Sequence, residues 1–184
     1  MIAPSPGATE RHPSVGFRIA LTVFLLAGIV WLGAQTARLV VWSELLDPGT
    51  IEFNAGVEPG AERLAYAVLA KLFLLLISSY GVLLISSVFL LILSPWPVRQ
   101  HGWLLMGALL LYLFIPVECY GLYLEGRLAY LHFSATAELP AMRGLFLARA
   151  GALAGAPLIG YLCSYTIVLL AVFQPLRRKQ TGTP

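Results

Sequence analysis

A run of twenty-two residues without a charged side chain, Leu72 to Leu93, constrains the fold of this chain more than any other feature. As an α-helix the run is about 33 Å long, which is enough to cross the roughly 30 Å hydrocarbon core of a bilayer. Most of its residues are Leu, Ile, Val and Phe, which favour insertion into lipid. Its serines can bond to carbonyl groups of the preceding helical turn. The run therefore predicts a transmembrane helix.

The composition of the whole chain is typical of a membrane protein. Of the 184 residues, 59% are hydrophobic and 11% are charged, and the mean hydropathy is +0.82. Soluble domains carry about 25% charged residues. The net charge of +3 is small, and no cluster of Lys and Arg is long enough to neutralise a run of phosphates, so nucleic acid is not an expected partner. The expected partner is the lipid bilayer.

Four apolar stretches separated by turn signals predict an all-α membrane protein, a four-helix transmembrane bundle. The predicted spans cover residues of about 17–42, 64–94, 103–124 and 141–174. We expect a flexible tail at 1–16, which is rich in Pro and Gly, and a basic tail at 175–184. The first span could instead be a signal peptide. Its apolar residues continue past Arg38 and further spans follow, which favours an uncleaved helix.

An offset of eighty residues relates the two halves of the chain. The residues that recur at this offset are Glu58 and Glu138, Ala61 and Ala141, Arg63 and Arg143, and Pro95 and Pro175. The second and fourth spans would then be equivalent, and the bundle could be a duplicated helical hairpin. Two apolar helices share nearly as many identities by chance, so both origins stay open.

The distribution of basic residues predicts that the N- and C-termini are cytoplasmic in a multi-pass protein of the cell membrane. With four spans, both tails and the middle loop lie on one side, and they hold six bases against three in the other two loops. Short basic loops stay in the cytoplasm. The six bases are Arg11, Arg18, Arg99, Arg177, Arg178 and Lys179, and the other three are Arg63, Arg127 and Arg143.

Two ionisable side chains inside the predicted spans, Arg38 and Glu118, form the candidate polar site. A charge within the membrane costs several kcal/mol and usually faces protein or water. Both residues lie roughly 6–9 Å from the outer ends of their spans, at 1.5 Å per residue, so we expect them to form an ion pair. Gln35 shares a helix face with Arg38. Lys71 and Arg149 are predicted at a similar level and could add to this site.

The role of this pair is open between structure and function. An ion pair between two helices can simply fix their register. Pro116 favours a functional role, because it leaves a backbone carbonyl without its usual partner beside Glu118. Broken helices next to a carboxylate often bind ions or protons. By helical spacing, Glu118, Gly121 and Glu125 share one face.

Gly151 and Gly155 form a GxxxG pattern in the fourth predicted span, which would let another helix approach closely. The sequence therefore predicts a small integral membrane protein that acts through helix–helix association. It would serve as an accessory or structural subunit of a membrane complex, or as a homo-oligomer. The alternative is a small transporter or channel that uses an outer site around Arg38, Lys71 and Glu118. A membrane enzyme acting on lipid is a third hypothesis, which only the outer polar residues support.

The sequence predicts no catalytic residue, no metal site and no cofactor, which makes an enzyme the less favoured class. Haem in a helical bundle needs two histidines at one depth. Here His12 lies in the tail, while His101 and His132 lie at opposite ends of a span. Neither an HExxH pattern nor a carboxylate–histidine cluster indicates zinc or a di-metal centre. The two cysteines form no CxxC pair.

Overall fold

A computed structural model describes residues 14–95, 102–134, 138–152 and 156–173. These residues form helices joined by turns, and none of them belongs to a β-strand. Nearly all of the predicted N-terminal tail, the basic tail at 175–184 and the middle loop with Arg99 lie outside the described residues. The helices are α1 Val15–Leu45, α2 Pro59–Leu93, α3 Gly102–Leu113, α4 Ile115–Phe133, α5 Leu139–Gly151 and α6 Ala156–Phe173.

Three helical stretches in the described part are long and apolar enough to cross a membrane. They are Val15–Leu45, Pro59–Leu93 and Leu104–Phe133, of which the last combines α3 and α4. A shorter apolar helix, Ile159–Leu170, lies within α6. Large apolar side chains cover the outside of the molecule, including Leu25, Ile29, Ile85, Phe89 and Leu162. An all-helical, membrane-embedded protein is thus supported, with three candidate spans and a shorter fourth helix instead of four full spans.

Helices α1 and α2 form an antiparallel hairpin. Ser14 caps α1, because its hydroxyl accepts a hydrogen bond of 3.2 Å from the backbone N–H of Phe17. A Cβ atom at Gly16 would lie 3.6 Å from Leu93, so the start of α1 packs beside the end of α2. The connecting loop contains a turn at Gly49, whose φ of 81° is readily adopted only without a side chain. One bridge between Leu46 and Phe53 closes the loop.

The eighty-residue offset coincides with the starts of two helices. The residue before α2 is Glu58 and the residue before α5 is Glu138, and each helix has a proline in its first two positions. Proline suits a helix start because its missing N–H would be unpaired there in any case. The two helices then differ, since α2 continues for 35 residues and α5 for 13. The duplication of the hairpin stays a hypothesis.

Both helices of the second half are interrupted. The break between α3 and α4 falls at Phe114, two residues before Pro116, as the proline predicts. The continuous helix expected over 141–174 is not formed, because α5 ends at Gly151 and Ala152 has an extended conformation with φ −61° and ψ 131°. Glycine has a low helix propensity, which makes this segment a weak point. Helix α6 begins again at Ala156.

Helix α2 packs against both α1 and α4. Helix α5 packs on α4, and α6 packs on α3. Two apolar clusters fill the interior. The first consists of Ala27, Trp31, Ala34, Leu76, Tyr80, Leu83 and Tyr161. The second consists of Leu45, Tyr66, Leu69, Leu128, Met142 and Phe146. On α1, the residues between the two clusters include the polar side chains of the candidate site.

Candidate functional site: a buried charge cluster

Four charged side chains from three helices meet between the two apolar clusters, together with one amide and one phenol. We call this group the charge cluster. Its members are Gln35 and Arg38 from α1, Glu118 and Glu125 from α4, Arg149 from α5 and Tyr161 from α6. Taking so many polar groups out of water is costly unless they bond to one another.

Glu125 holds both arginines of the charge cluster through one oxygen. Arg38 donates from Nη1 to Oε1 of Glu125, and Arg149 donates from Nε to the same oxygen at 2.9 Å. The side chains of Arg38 and Arg149 are 2% and 4% exposed, and that of Glu125 is 11% exposed. Such charge-assisted bonds are about twice as strong as neutral ones. Glu125 is therefore the electrostatic centre of the cluster.

A chain of hydrogen bonds leads from Arg38 to Glu118. Arg38 also donates from Nη2 to the hydroxyl of Tyr161. That hydroxyl donates to Oε1 of Gln35 over 3.1 Å, and Nε2 of Gln35 donates to Oε2 of Glu118 over 3.3 Å. Each group in this series of hydrogen bonds donates to the next one away from Arg38, and the last acceptor is the carboxyl group of Glu118.

Glu118 has far fewer partners than Glu125. It lies in the first turn of α4, directly after the break at Phe114, and is 4% exposed. Its other oxygen, Oε1, is buried and has no hydrogen-bond partner, and the same holds for Nε of Arg38. Buried polar atoms of native proteins are nearly always paired. These two atoms therefore mark the part of the cluster whose bonding is incomplete.

Trp42 contributes an aromatic face to the two guanidinium groups. The ring centroid lies 5.2 Å from the Arg38 guanidinium carbon and 5.5 Å from that of Arg149. Cation–π attraction at this range adds about 0.5–2 kcal/mol when water is excluded. The indole of Trp42 therefore stabilises positive charge where one carboxylate serves two arginines.

Gly121 makes room for Arg149. A Cβ atom at this position would lie 2.6 Å from Nη2 of Arg149, which is closer than any real contact of this kind. The absence of a Cβ atom therefore lets the guanidinium pass close to the backbone of α4 and reach Glu125. The void beside the charge cluster is correspondingly small, about 20 Å³, and is lined in part by Arg38, Glu125 and Arg149. This space suffices for about one water molecule.

The structure brings together four of the five side chains predicted for the polar site. Gln35, Arg38, Glu118 and Arg149 meet, whereas Lys71 is exposed on the surface of α2. The direct ion pair predicted between Arg38 and Glu118 is not formed, because Arg38 contacts Glu125 instead. The long arginine side chain reaches the carboxylate two turns farther along α4. Glu118 is reached only through Gln35 and Tyr161.

The predicted packing motif is not a feature of one helix. Gly151 is the last residue of α5 and is exposed, and a Cβ atom there would have no neighbour within 4 Å. Gly155 lies outside the described residues. Two glycines lie on one helical face only if the helix continues through both, and α5 does not. Contact of this segment with another chain stays a prediction.

Sequence reasoning did not identify Glu125 and Tyr161 as site residues. The sequence did contain an indication for Glu125, because its spacing of seven residues from Glu118 places both side chains on one face of a helix. Tyr161 had none. It comes from the apolar helix α6, and it lies 123 residues from Arg38 in the sequence.

A second ion pair lies nearer to the loop between α1 and α2. Arg143 donates from Nε and Nη2 to the two oxygens of Glu62 at 3.1 and 2.7 Å, and the hydroxyl of Tyr66 donates to Glu62 at 2.9 Å. Glu62 is fully buried, but Arg143 is 42% exposed and lies 4.0 Å from the ring centroid of Phe53. This pair is therefore partly hydrated and joins α2 to α5.

An open groove of about 770 Å³ runs between α2 and α4 on the outside of the fold. Its walls are mainly apolar and include Phe73, Leu84 and Leu122. Two glycines, Gly81 and Gly126, line the same groove. A Cβ atom at Gly81 would have no neighbour within 4 Å, whereas one at Gly126 would lie 3.2 Å from Phe73, so only Gly81 leaves open space there. Small residues in a groove of this kind let a neighbouring helix approach closely.

The described residues contain no group of three or more His, Cys, Asp or Glu side chains that could hold a metal ion. Comparison of the chain with protein families, curated proteins and solved structures finds no match. The charge cluster and the groove are the two features of the described residues that could have a function.

Proposed function

We propose that this chain is a small multi-pass integral membrane protein that acts by associating with another transmembrane helix through the groove between α2 and α4. The proposal rests on the difference in volume between the groove and the void beside the charge cluster. The groove holds about 770 Å³, is open to the outside and contains Gly81, where a Cβ atom would have no neighbour within 4 Å. The void at the charge cluster holds about 20 Å³.

The small void favours a structural role for most of the charge cluster. A solute larger than one water molecule does not fit beside Arg38 and Glu125. The bonds of these residues instead connect α1, α4, α5 and α6. A fold fixed in this way would present the groove as a preformed surface, which lowers the entropic cost of binding a partner.

The chain offers a matched pair of variants to test association. Gly81→Ile would fill the groove, and Gly33→Ile adds the same side chain to α1, where Gly33 is exposed. A Cβ atom at either glycine has no neighbour within 4 Å, so both variants should fold. Native mass spectrometry in mild detergent should show that Gly81→Ile loses a protein partner or second copy and that Gly33→Ile keeps it. A wild-type chain without any bound protein would contradict the proposal.

The topology belongs to the same proposal. We place both termini in the cytoplasm because the basic residues of the tails and the middle loop exceed those of the other loops. Reporter fusions after Pro184 and within residues 56–60 would test the orientation. A fusion at 56–60 that reports from the cytoplasm would contradict it.

A second candidate function is proton transfer across the membrane, which the two interrupted helices favour. Glu118 follows the break after α3, and Arg149 lies in the last turn of α5, just before the other break. At Gly160 a Cβ atom would lie 3.2 Å from Phe114, so α6 packs closely on the first break. Interrupted helices that meet at charged groups are a feature of transporters. The small void restricts such a cargo to protons.

Liposomes with an imposed pH gradient separate the two functions. A proton-transferring chain would dissipate the gradient, and Glu118→Gln would stop the flux. A gradient that persists with wild-type protein would reject the second candidate and leave association.

A further inference from the structure

We propose that Glu118 is a buried proton-binding site, with a carboxyl group that is protonated and neutral at neutral pH. Its geometry supports this state, because it lies inside the charge cluster with one long bond from a neutral amide and one oxygen without a partner. The protonation of Glu118 does not depend on the association proposed above, since the groove and the carboxyl group are separate features.

Glu62 shows what an ionised carboxylate in the same chain has around it. Glu62 is fully buried and accepts two bonds from the guanidinium of Arg143 and one from the hydroxyl of Tyr66. Glu118 is about as buried, but its one donor is the amide of Gln35 at 3.3 Å. Desolvation of a carboxylate disfavours its charged form unless donors or cations replace the lost water. Glu118 lacks most of these replacements.

The charged and titratable side chains around Glu118 come from α1, α2, α4, α5 and α6. The cations Arg38 from α1 and Arg149 from α5 belong to the charge cluster, as does the anion Glu125 from the same helix as Glu118. The hydroxyl of Tyr161 from α6 is linked to Glu118 through Gln35, and Tyr80 from α2 lies in the same apolar cluster as Tyr161. Both arginines bond to Glu125 and not to Glu118. Their influence on Glu118 therefore acts through space, without a direct bond.

A neutral Glu118 leaves one surplus positive charge among Arg38, Arg149 and Glu125. Three features of the cluster stabilise that charge. The ring of Trp42 lies within 5.5 Å of both guanidinium groups, and that of Tyr161 lies 5.8 Å from Arg38. Arg149 also lies in the last turn of α5, where the partial negative charge of the helix end favours a cation. The surplus therefore does not require ionisation of Glu118.

Infrared spectroscopy of the full chain in detergent tests the proposal, because protonated and ionised carboxyl groups absorb at different frequencies. The described Glu and Asp residues other than Glu118 are either exposed to the surroundings, partly buried or, for Glu62, paired with an arginine. Wild-type protein at neutral pH should show the carbonyl band of a protonated acid. Glu118→Gln should remove this band, and Glu62→Gln, which lies outside the charge cluster, should keep it. A wild-type spectrum without the band overturns the proposal, whatever the variants do.

Thermal stability gives a second readout. Gln has nearly the shape of a protonated Glu, so Glu118→Gln should leave Tm within a degree or two of wild type. Glu125→Gln makes the same chemical change on the same helix face and should lower Tm clearly. An equally large loss from Glu118→Gln would show that the charge of Glu118 stabilises the fold, which would also overturn the proposal.

Discussion

Glu125 is the side chain whose neutralisation should destabilise the protein most. Glu125→Gln keeps the size of the side chain but leaves Arg38 and Arg149, 2% and 4% exposed, without their shared carboxylate. Removing one member of a buried ion pair costs about 3–5 kcal/mol because the other charge stays buried. Two cations lose their anion here, while the ring of Trp42 still offsets part of the loss. We expect the free energy of unfolding to fall by about 4–5 kcal/mol.

The matched control is Glu62→Gln. Glu62 is fully buried and pairs with one arginine, but Arg143 is 42% exposed and can regain water when the pair is lost. Lost hydrogen bonds to a charged group cost about 1.5–3 kcal/mol, so this variant should be the milder one. Unfolding in mixed micelles of a mild detergent and sodium dodecyl sulfate measures both values. If the two variants lose the same free energy, burial of the arginines does not set the cost.

A double-mutant cycle locates the source of the loss. Arg149→Met removes one of the two unpaired cations, so it should recover part of the stability lost in Glu125→Gln. Coupled side chains in contact show interaction energies of about 0.5–3 kcal/mol. The double variant should therefore lose at least about 1 kcal/mol less than the sum of the single losses. Losses that add to within about 0.5 kcal/mol would refute the coupling of Glu125 and Arg149.

Gly121→Ala should cost about 1–3 kcal/mol of stability, because the added Cβ atom would lie 2.6 Å from Arg149. Gly144→Ala is the control, because a Cβ atom there has no neighbour within 4 Å. In the same unfolding assay this control should be neutral or slightly stabilising. Tyr161→Phe should cost about 1–3 kcal/mol, because it removes the hydroxyl that links Arg38 to Gln35. Tyr165→Phe, on the exposed side of α6, should change stability by less than about 0.5 kcal/mol. Equal losses from either pair of variants would contradict the contacts on which they rest.

The length of apolar runs predicted the helices of the first half closely. Helix α1 begins two residues before the predicted start at 17, and α2 covers the whole run from Leu72 to Leu93. A long apolar helix needs no partner to satisfy its backbone, so its composition is sufficient to indicate it. The start of α5 could also be predicted, because Pro140 suits the first turn of a helix.

The break after Gly151 could not be read in the same way. Glycine lets helices pack closely in a membrane, and it also lowers helix propensity. The pattern of Gly151 and Gly155 is compatible with both effects, and from the sequence we predicted a continuous helix with close packing. Which effect prevails depends on neighbouring helices, and here Ala152 adopts an extended conformation directly after the glycine. A local pattern does not contain that information.

Helical periodicity determined the faces of the charge cluster but not the level at which the helices meet. Gln35 and Arg38 were assigned to one face of α1, and Glu118 and Glu125 share one face of α4. Residues seven apart on a helix differ by about 10.5 Å along its axis. Arg38 therefore meets either carboxylate according to how far α4 is shifted along α1, and that shift depends on the packing of both helices against α2.

The choice of Glu125 by Arg38 has a consequence for the other carboxyl group. Arg149 bonds to the same oxygen of Glu125 as Arg38, so neither arginine bonds to Glu118. A sequence-level count of two bases and two acids suggests two complete ion pairs. The structure instead forms one shared carboxylate and one carboxyl group whose hydrogen bond comes from an amide. A buried carboxyl group without a bonded cation is stabilised by binding a proton. This unequal division of partners is therefore the reason why we propose Glu118, and not Glu125, as the proton-binding site.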